Sequence, residues 1–455
     1  MSSDTSLDIK NIICSYFYDL KDTINLYNLN KDHQNNIRII NLYDIPKKYI
    51  NKLNQQIIEK NKYKYVENLD VNDNEKIKNV NHMKQTLKKL HCVYNSGIDQ
   101  NGISELNLIE LNMRSNDKIK NVNHMKETLK ILNCSGHNNG IIQNGISELN
   151  LIELNACDNK KIENVNHMKK TLKILNCSNE SGIDQNGILE LNLIELYVIG
   201  NKKIENVNFM KETLKKLDCS YDSGMDQNGI SELNLIELYT NNNEKINNVN
   251  HMKKTLKILH CGGYFCGIDQ NGISELNLSE LNAGNNNKIK NVNYMKETLK
   301  ILNCFGNCGI DQYGISQLNL IELNTTDNKK IKNVNHMKET LKILNCSFAS
   351  GIDQNGILEL NLIELNAFNN EKIKNVNHMK KTLKKLNCGG FNCGINKNGI
   401  LELNLIELNS DYNEKIKNMN HIEKTLNSNL FINSYKLIFF SFVAIYEQII
   451  TFLFN

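Results

Sequence analysis

The chain has 455 residues, with 54 Lys and Arg against 50 Asp and Glu, for a formal net charge of +4. So even a balance supplies no basic patch of the kind that nucleic acid or an anionic membrane surface demands. Eight of its 13 cysteines recur 42 or 43 residues apart, at Cys92, Cys134, Cys177, Cys219, Cys261, Cys304, Cys346 and Cys388. That spacing suits a small apolar core slot rather than disulfides between neighbours. Residues 1–8 carry no basic flank and no long apolar run, so they do not read as a secretory signal. Reduced thiols and no leader point to the cytosol or nucleus.

Residues 1–62 do not repeat. Leu7, Ile9, Ile12, Ile13 and Phe17 follow helical spacing, with Ser6 and Asp8 as start signals. A second run, Ile24, Leu26 and Leu29, opens after Asp22, which suits an N-cap. A third, Ile50, Leu53, Ile57 and Ile58, follows Pro46, tolerated in a helix's first turn. The three runs predict a small α-helical module.

Residues 63–426 are built on one frame, Leu-x-x-Leu-x-small-x-x-Asn, as in Leu320-Ile321-Glu322-Leu323-Asn324-Thr325-Thr326-Asp327-Asn328. Its first position falls at Val66, Leu87, Leu108, Leu129, Leu151, and onward to Leu383 and Leu405, with steps of 21 or 22 residues. A fixed period in this range, in this frame, is the signature of leucine-rich repeats. The resemblance implies a solenoid of about seventeen turns, an α/β fold with a parallel concave sheet and short helices or turns on the convex side. Two half-units alternate. One carries Ile331, Val334 and Met337 at steps of three, which predicts a short helix or 3₁₀ turn. In the other, Gly351 and Gly356 break any long helix, which predicts a tighter return. Alternation along the strand puts Leu365 and Ala367 inward and Glu364 and Asn366 outward. The Asn closing the frame, as at Asn116, Asn159, Asn201, Asn286, Asn328, Asn370 and Asn413, offers donors and an acceptor to backbone groups buried where the chain turns back.

The N-terminal module resembles an F-box. The matching residues are Leu7-Asp8-Ile9, Ile12-Ile13-Cys14-Ser15-Tyr16-Phe17, Asp19-Leu20-Lys21-Asp22-Thr23-Ile24-Asn25-Leu26 and Leu29-Asn30-Lys31. The Pro usual near the family's start is missing, and polar residues around His33 replace the Trp common near its end. The whole chain is similar to F-box/leucine-rich-repeat proteins of the giant-virus or protist type. That resemblance implies a substrate receptor of a cullin-type ubiquitin ligase, without catalytic residues. Leu7, Ile9, Ile12, Ile13, Phe17, Ile24, Leu26 and Leu29 would dock a Skp-type adaptor, and the repeats would hold the target protein. A plain helical cap on the first repeat, with no link to a ligase, is the other reading of residues 1–62.

Residues 427–455 break the pattern. The run from Leu437 to Phe454 is strongly apolar but interrupted by Glu447 and Gln448. Its length is near the lower limit for a membrane span, so it reads as a cap on the last turn or, alternatively, as a membrane anchor.

No nucleophile–base pair or phosphate-binding loop stands out from the periodic background, and neither enzyme activity nor a cofactor is expected. A His precedes Met at His82, His124, His167, His251, His336 and His378, but Phe209 and Tyr294 fill the same slot, which argues for structure over metal. Cys261 with Cys266, Cys304 with Cys308 and Cys388 with Cys393 lack the further ligands of a zinc site. Partner recognition is expected where repeats differ, on the concave face or its rim: Tyr94, Arg114, Tyr197, Tyr239, Tyr264, Phe265, Phe305, Phe368 and Phe391, beside a column of Glu that includes Glu110, Glu153 and Glu195.

Overall fold

The structure, a computed structural model, describes residues 39–43, 50 and 52–416. The adaptor-docking positions predicted at residues 7–29 and the apolar end at 427–455 lie outside the described residues. The chain divides into two compact units, up to Ile246 and from Asn247.

In the first unit, strands β1 to β10 are Asn41–Leu42, Asn68–Asp70, Lys89–His91, Glu110–Asn112, Ile131–Asn133, Glu153–Asn155, Ile174–Asn176, Glu195–Tyr197, Lys216–Asp218 and Glu237–Tyr239. Each pairs parallel with the next, and the frame is in register throughout: Leu111 lies opposite Leu90 and Leu132. In the second unit, β11 to β18 are Ile258–His260, Glu280–Asn282, Ile301–Asn303, Glu322–Asn324, Ile343–Asn345, Glu364–Asn366, Lys385–Asn387 and Glu407–Asn409, paired in the same way. Strand β1 lies inside the stretch read as helical, and Ile39 and Leu42 are buried like frame residues of later turns. One α-helix, α1 at Gln55–Ile58, covers the end of the third predicted run, and Asn54 caps it by accepting from the Ile57 amide.

Strands of three residues follow from the frame. Only the middle Leu and the small residue after the strand face the interior, as Leu365 and Ala367 do at 0% exposure. The chain must then turn away, because one turn has just 21 or 22 residues to close its circuit. Both half-units return through a 3₁₀ helix, such as Asn335–Met337 and Asn355–Ile357. The helical half of this α/β architecture is therefore almost wholly 3₁₀ among the described residues. The glycine of the second half-unit is required by close approach, not by helix breaking. A Cβ on Gly356 would overlap the Lys332 carbonyl oxygen one turn back, and the Gly356 carbonyl accepts from Val334 at 3.0 Å.

Polar side chains that recur in every second turn tie the turns together. Asn328 is fully buried. Its Nδ2 donates to the carbonyls of Cys304 (2.8 Å) and Ile310 (3.2 Å), and its Oδ1 accepts from the Lys330 amide (2.9 Å). Gln312 brackets the next turn, accepting from the Lys332 and Asn333 amides and donating to the Asn333 carbonyl. The His slot has the same office: His336 Nε2 lies 3.1 Å from the Ile315 carbonyl, and Tyr294 Oη donates to the Ile273 carbonyl at 2.8 Å. A single function therefore suits both His and Tyr there, and it is a bond between turns.

Candidate partner-binding face

The outward side chains of the strands form two columns. In the first unit, the first strand position reads Glu110, Ile131, Glu153, Ile174, Glu195, Lys216 and Glu237 along β4 to β10. The third reads Asn112, Asn133, Asn155, Asn176, Tyr197, Asp218 and Tyr239. Asn side chains of this column bend back on their own chain: Asn155 Oδ1 accepts from the Cys157 amide at 3.1 Å and Asn176 Oδ1 from Ser178 at 3.0 Å. Just before alternate strands, Ile109, Ile152, Ile194 and Ile236 are 44–46% exposed.

Tyr197 and Tyr239 break the Asn column and converge on one cation. Lys216 Nζ lies 5.8 Å from the Tyr197 ring centre and 5.5 Å from that of Tyr239, and it pairs with Glu237 at 3.1 Å. Each tyrosine donates to the carboxylate two residues before it, Tyr197 to Glu195 at 2.7 Å and Tyr239 to Glu237 at 3.2 Å. Burial and those carboxylates push the Tyr197 hydroxyl well above its ordinary pKa. Beside Tyr197 lies a cavity of about 240 Å³ lined by Glu153, Asn155, Ile174, Asn176, Glu195 and Tyr197. Burial first, then the charges of Glu110 and Glu195, hold the Glu153 carboxyl above the usual carboxylate range.

The other sequence-predicted positions lie in the turn after the strand. Tyr94 is exposed, with the Arg114 guanidinium 5.6 Å from its ring centre. In the second unit, Tyr264 and Phe265 are exposed, and Phe391 is 74% exposed beside Tyr412, with ring centres 5.3 Å apart. Phe368 is half-buried against Phe348 at 5.4 Å. Phe305 is half-buried too, and its ring occupies the space where Gly284 lacks a Cβ. The named residues therefore fall into separate groups: a tyrosine pair on the sheet face and several aromatic clusters on turns.

One signal at these turns escapes a reading of residue types alone. Tyr94, Tyr221, Phe348 and Tyr412 have φ of 55°, 62°, 55° and 60°, in the left-handed region. The same slot in other turns holds Gly200, Gly306, Asn242, Asn285, Asn369, Asp158 or Asp327. Those are the residues that tolerate this backbone, and bulky ones sit there at a cost.

Cys134 and Cys346 are fully buried, and burial pushes both thiols up to about 12. No group of three or more His, Cys, Asp or Glu among the described residues is arranged to hold a metal ion. No helix among them is long and apolar enough to cross a membrane.

No protein-family model matches the chain, and no curated protein does. Solved structures are similar to it. The functional domain of InlJ from Listeria monocytogenes, which includes a cysteine ladder, is 22% identical over 68% of this chain and 69% of that one, with a TM-score of 0.41. The internalin InlF from Listeria monocytogenes strain 4b F2365 is 18% identical over 76% of this chain and 98% of that one, at 0.39. The complex of Rad7 and Elc1 in yeast gives 15% identity over 75% of this chain and 92% of that one, at 0.37. With its in-register parallel strands, 3₁₀ returns and buried Leu and Asn ladders, each unit has the fold of a leucine-rich-repeat solenoid.

Proposed function

We propose that this chain is a non-catalytic scaffold that binds another protein through the outward sheet face and the turns beside it. The observation that carries this reading is the set of exposed aromatics on left-handed backbone, Tyr94, Tyr221, Phe348 and Tyr412. Each costs on the order of 1 kcal/mol relative to the Gly or Asn used in neighbouring turns, which drift alone does not favour. Most recurring side chains, such as the frame Leu and Asn, are engaged in packing and in bonds between turns, which leaves chiefly the variable positions for recognition. Proximity labelling in the native cell tests the reading, comparing the wild type with a variant carrying Tyr94→Asn and Tyr221→Asn. Loss of labelled partners from a folded variant supports it. An unchanged partner set assigns these rings to drift.

The finer reading is a substrate receptor of a cullin-type ubiquitin ligase, supported by the F-box-like residues at Leu7, Ile9, Ile12, Ile13, Phe17, Ile24, Leu26 and Leu29. Residues 1–62 would recruit a Skp-type adaptor, and the repeats would present the target in the cytoplasm or nucleus. Substituting Ile12, Phe17 and Leu26 separates this from a plain cap. Loss of adaptor with the solenoid folded favours the receptor, while collapse of the first turns favours the cap. Recovery of partners without adaptor or cullin ends the ligase reading and leaves the scaffold.

A further inference from the structure

Two carboxylates on alternate strands recur along the first unit, and Tyr197 stands beside two such pairs, one with a cation between and one without. On β8, β9 and β10 the first positions are Glu195, Lys216 and Glu237, in register on neighbouring strands. There the ammonium lies against the Tyr197 and Tyr239 rings and pairs with Glu237. On β6, β7 and β8 the first positions are Glu153, Ile174 and Glu195, also in register. Two strand spacings put the backbones of Glu153 and Glu195 about 9–10 Å apart. The Ile174 side chain between them brings no charge, and the cavity opens over it. The Glu153 carboxylate has no hydrogen-bond or ion-pair partner among the described residues, whereas that of Glu110 has Lys89 at 2.7 Å and His91 at 3.4 Å. Tyr197 forms a wall common to both arrangements.

We propose that the cavity over Ile174 receives one arginine side chain of the protein partner, held between Glu153 and Glu195 and against Tyr197. The inference rests on the scaffold reading and names what the partner brings. A guanidinium suits the site better than an ammonium. It is planar and weakly hydrated, so it can cover the apolar Ile174 floor and stack on the tyrosine. Its N–H groups diverge, so it can donate toward carboxylates on opposite sides. The Nδ2 groups of Asn155 and Asn176 have no partner among the described residues and offer donors to backbone carbonyls flanking the arginine. The second unit repeats the carboxylate pair at Glu322 and Glu364 around Ile343, but Asn366 stands where the first unit has Tyr197. The aromatic wall therefore singles out the first-unit cavity.

Fluorescence anisotropy on the full chain tests the site, using a labelled Gly-Ser peptide bearing arginines and the same peptide with citrulline, which keeps the shape and removes the charge. The expected result is preference for arginine over citrulline by about tenfold or more, lost in Glu153→Gln/Glu195→Gln and weakened about threefold in Tyr197→Leu. Glu105→Gln, at an exposed carboxylate paired with Lys84, controls for overall charge and retains the preference. Equal binding of the two peptides, or an unchanged preference in the double variant, overturns the proposal. Proximity labelling separates the two readings. If the wild type and the double variant label the same partners, the arginine site falls and the scaffold stands. If the wild type labels none while the peptide preference holds, the scaffold falls, and with it the partner, leaving only a cavity that binds arginine.

Discussion

At the residue scale, the His slot couples stability to pH. His167, His336 and His378 have pKa values lowered by burial, only partly offset by their bond to a carbonyl one turn back. A lowered folded value means that the unfolded chain binds the proton more readily. These groups therefore contribute stability above the ordinary histidine range, and it is lost as pH falls from about 6.5. Tyr294 shows how the bond survives without a titrating ring. His336→Tyr is expected to keep the bond, worth about 1 kcal/mol, and to shrink the loss of thermal stability between neutral and mildly acidic pH. Melting curves at the two pH values check this, and an equal loss in wild type and variant refutes it. Tyr221→Asn is the second case. Relief of the left-handed backbone is expected to stabilise the protein by about 1 kcal/mol, read as an upward shift in urea midpoint. A downward shift would show that the ring's packing outweighs the strain.

At the element scale, the frame was legible because each of its positions has one dominant physical demand. Leu365 and Ala367 are buried by strand alternation, and Asn328 satisfies carbonyls that no strand can reach. The cavity over Ile174 was not legible, because Glu153, Ile174 and Glu195 are ordinary repeat residues. They become a site only when the register of three strands sets them side by side next to Tyr197. The cause of the glycine in the second half-unit was equally hidden, since a carbonyl approaching from the previous turn leaves no mark in local sequence. Asn328→Ala removes three hydrogen bonds, two of them reaching back to Cys304 and Ile310, and strands two carbonyls and an amide. The expected cost is about 3 kcal/mol or more. Asn345→Ala at an outward position, where the side chain serves mainly the following Ser347, is expected to cost about 1 kcal/mol or less. Chemical denaturation of both variants checks the ranking, and equal costs would remove the special role given to the frame Asn.

At the scale of the whole molecule, turns that contact chiefly their neighbours make stability a local property. Each turn holds its own bonds and its interfaces to the turns before and after, so damage in one place opens that place first. The buried cysteines report such openings by residue. Burial holds Cys134 and Cys346 at about 12, so at pH 8 both are almost wholly thiol as well as shielded, and a thiol reagent reaches them only through opening. Gly356→Ala forces a Cβ into the Lys332 carbonyl and is expected to cost about 2–3 kcal/mol. It should speed modification of Cys346 severalfold or more and leave Cys134, in the other unit, near its wild-type rate. Timed labelling followed by peptide mass mapping reads both sites in one sample. Acceleration of the two together would mean that the chain opens as a single cooperative body, and the local account of its stability would then fail.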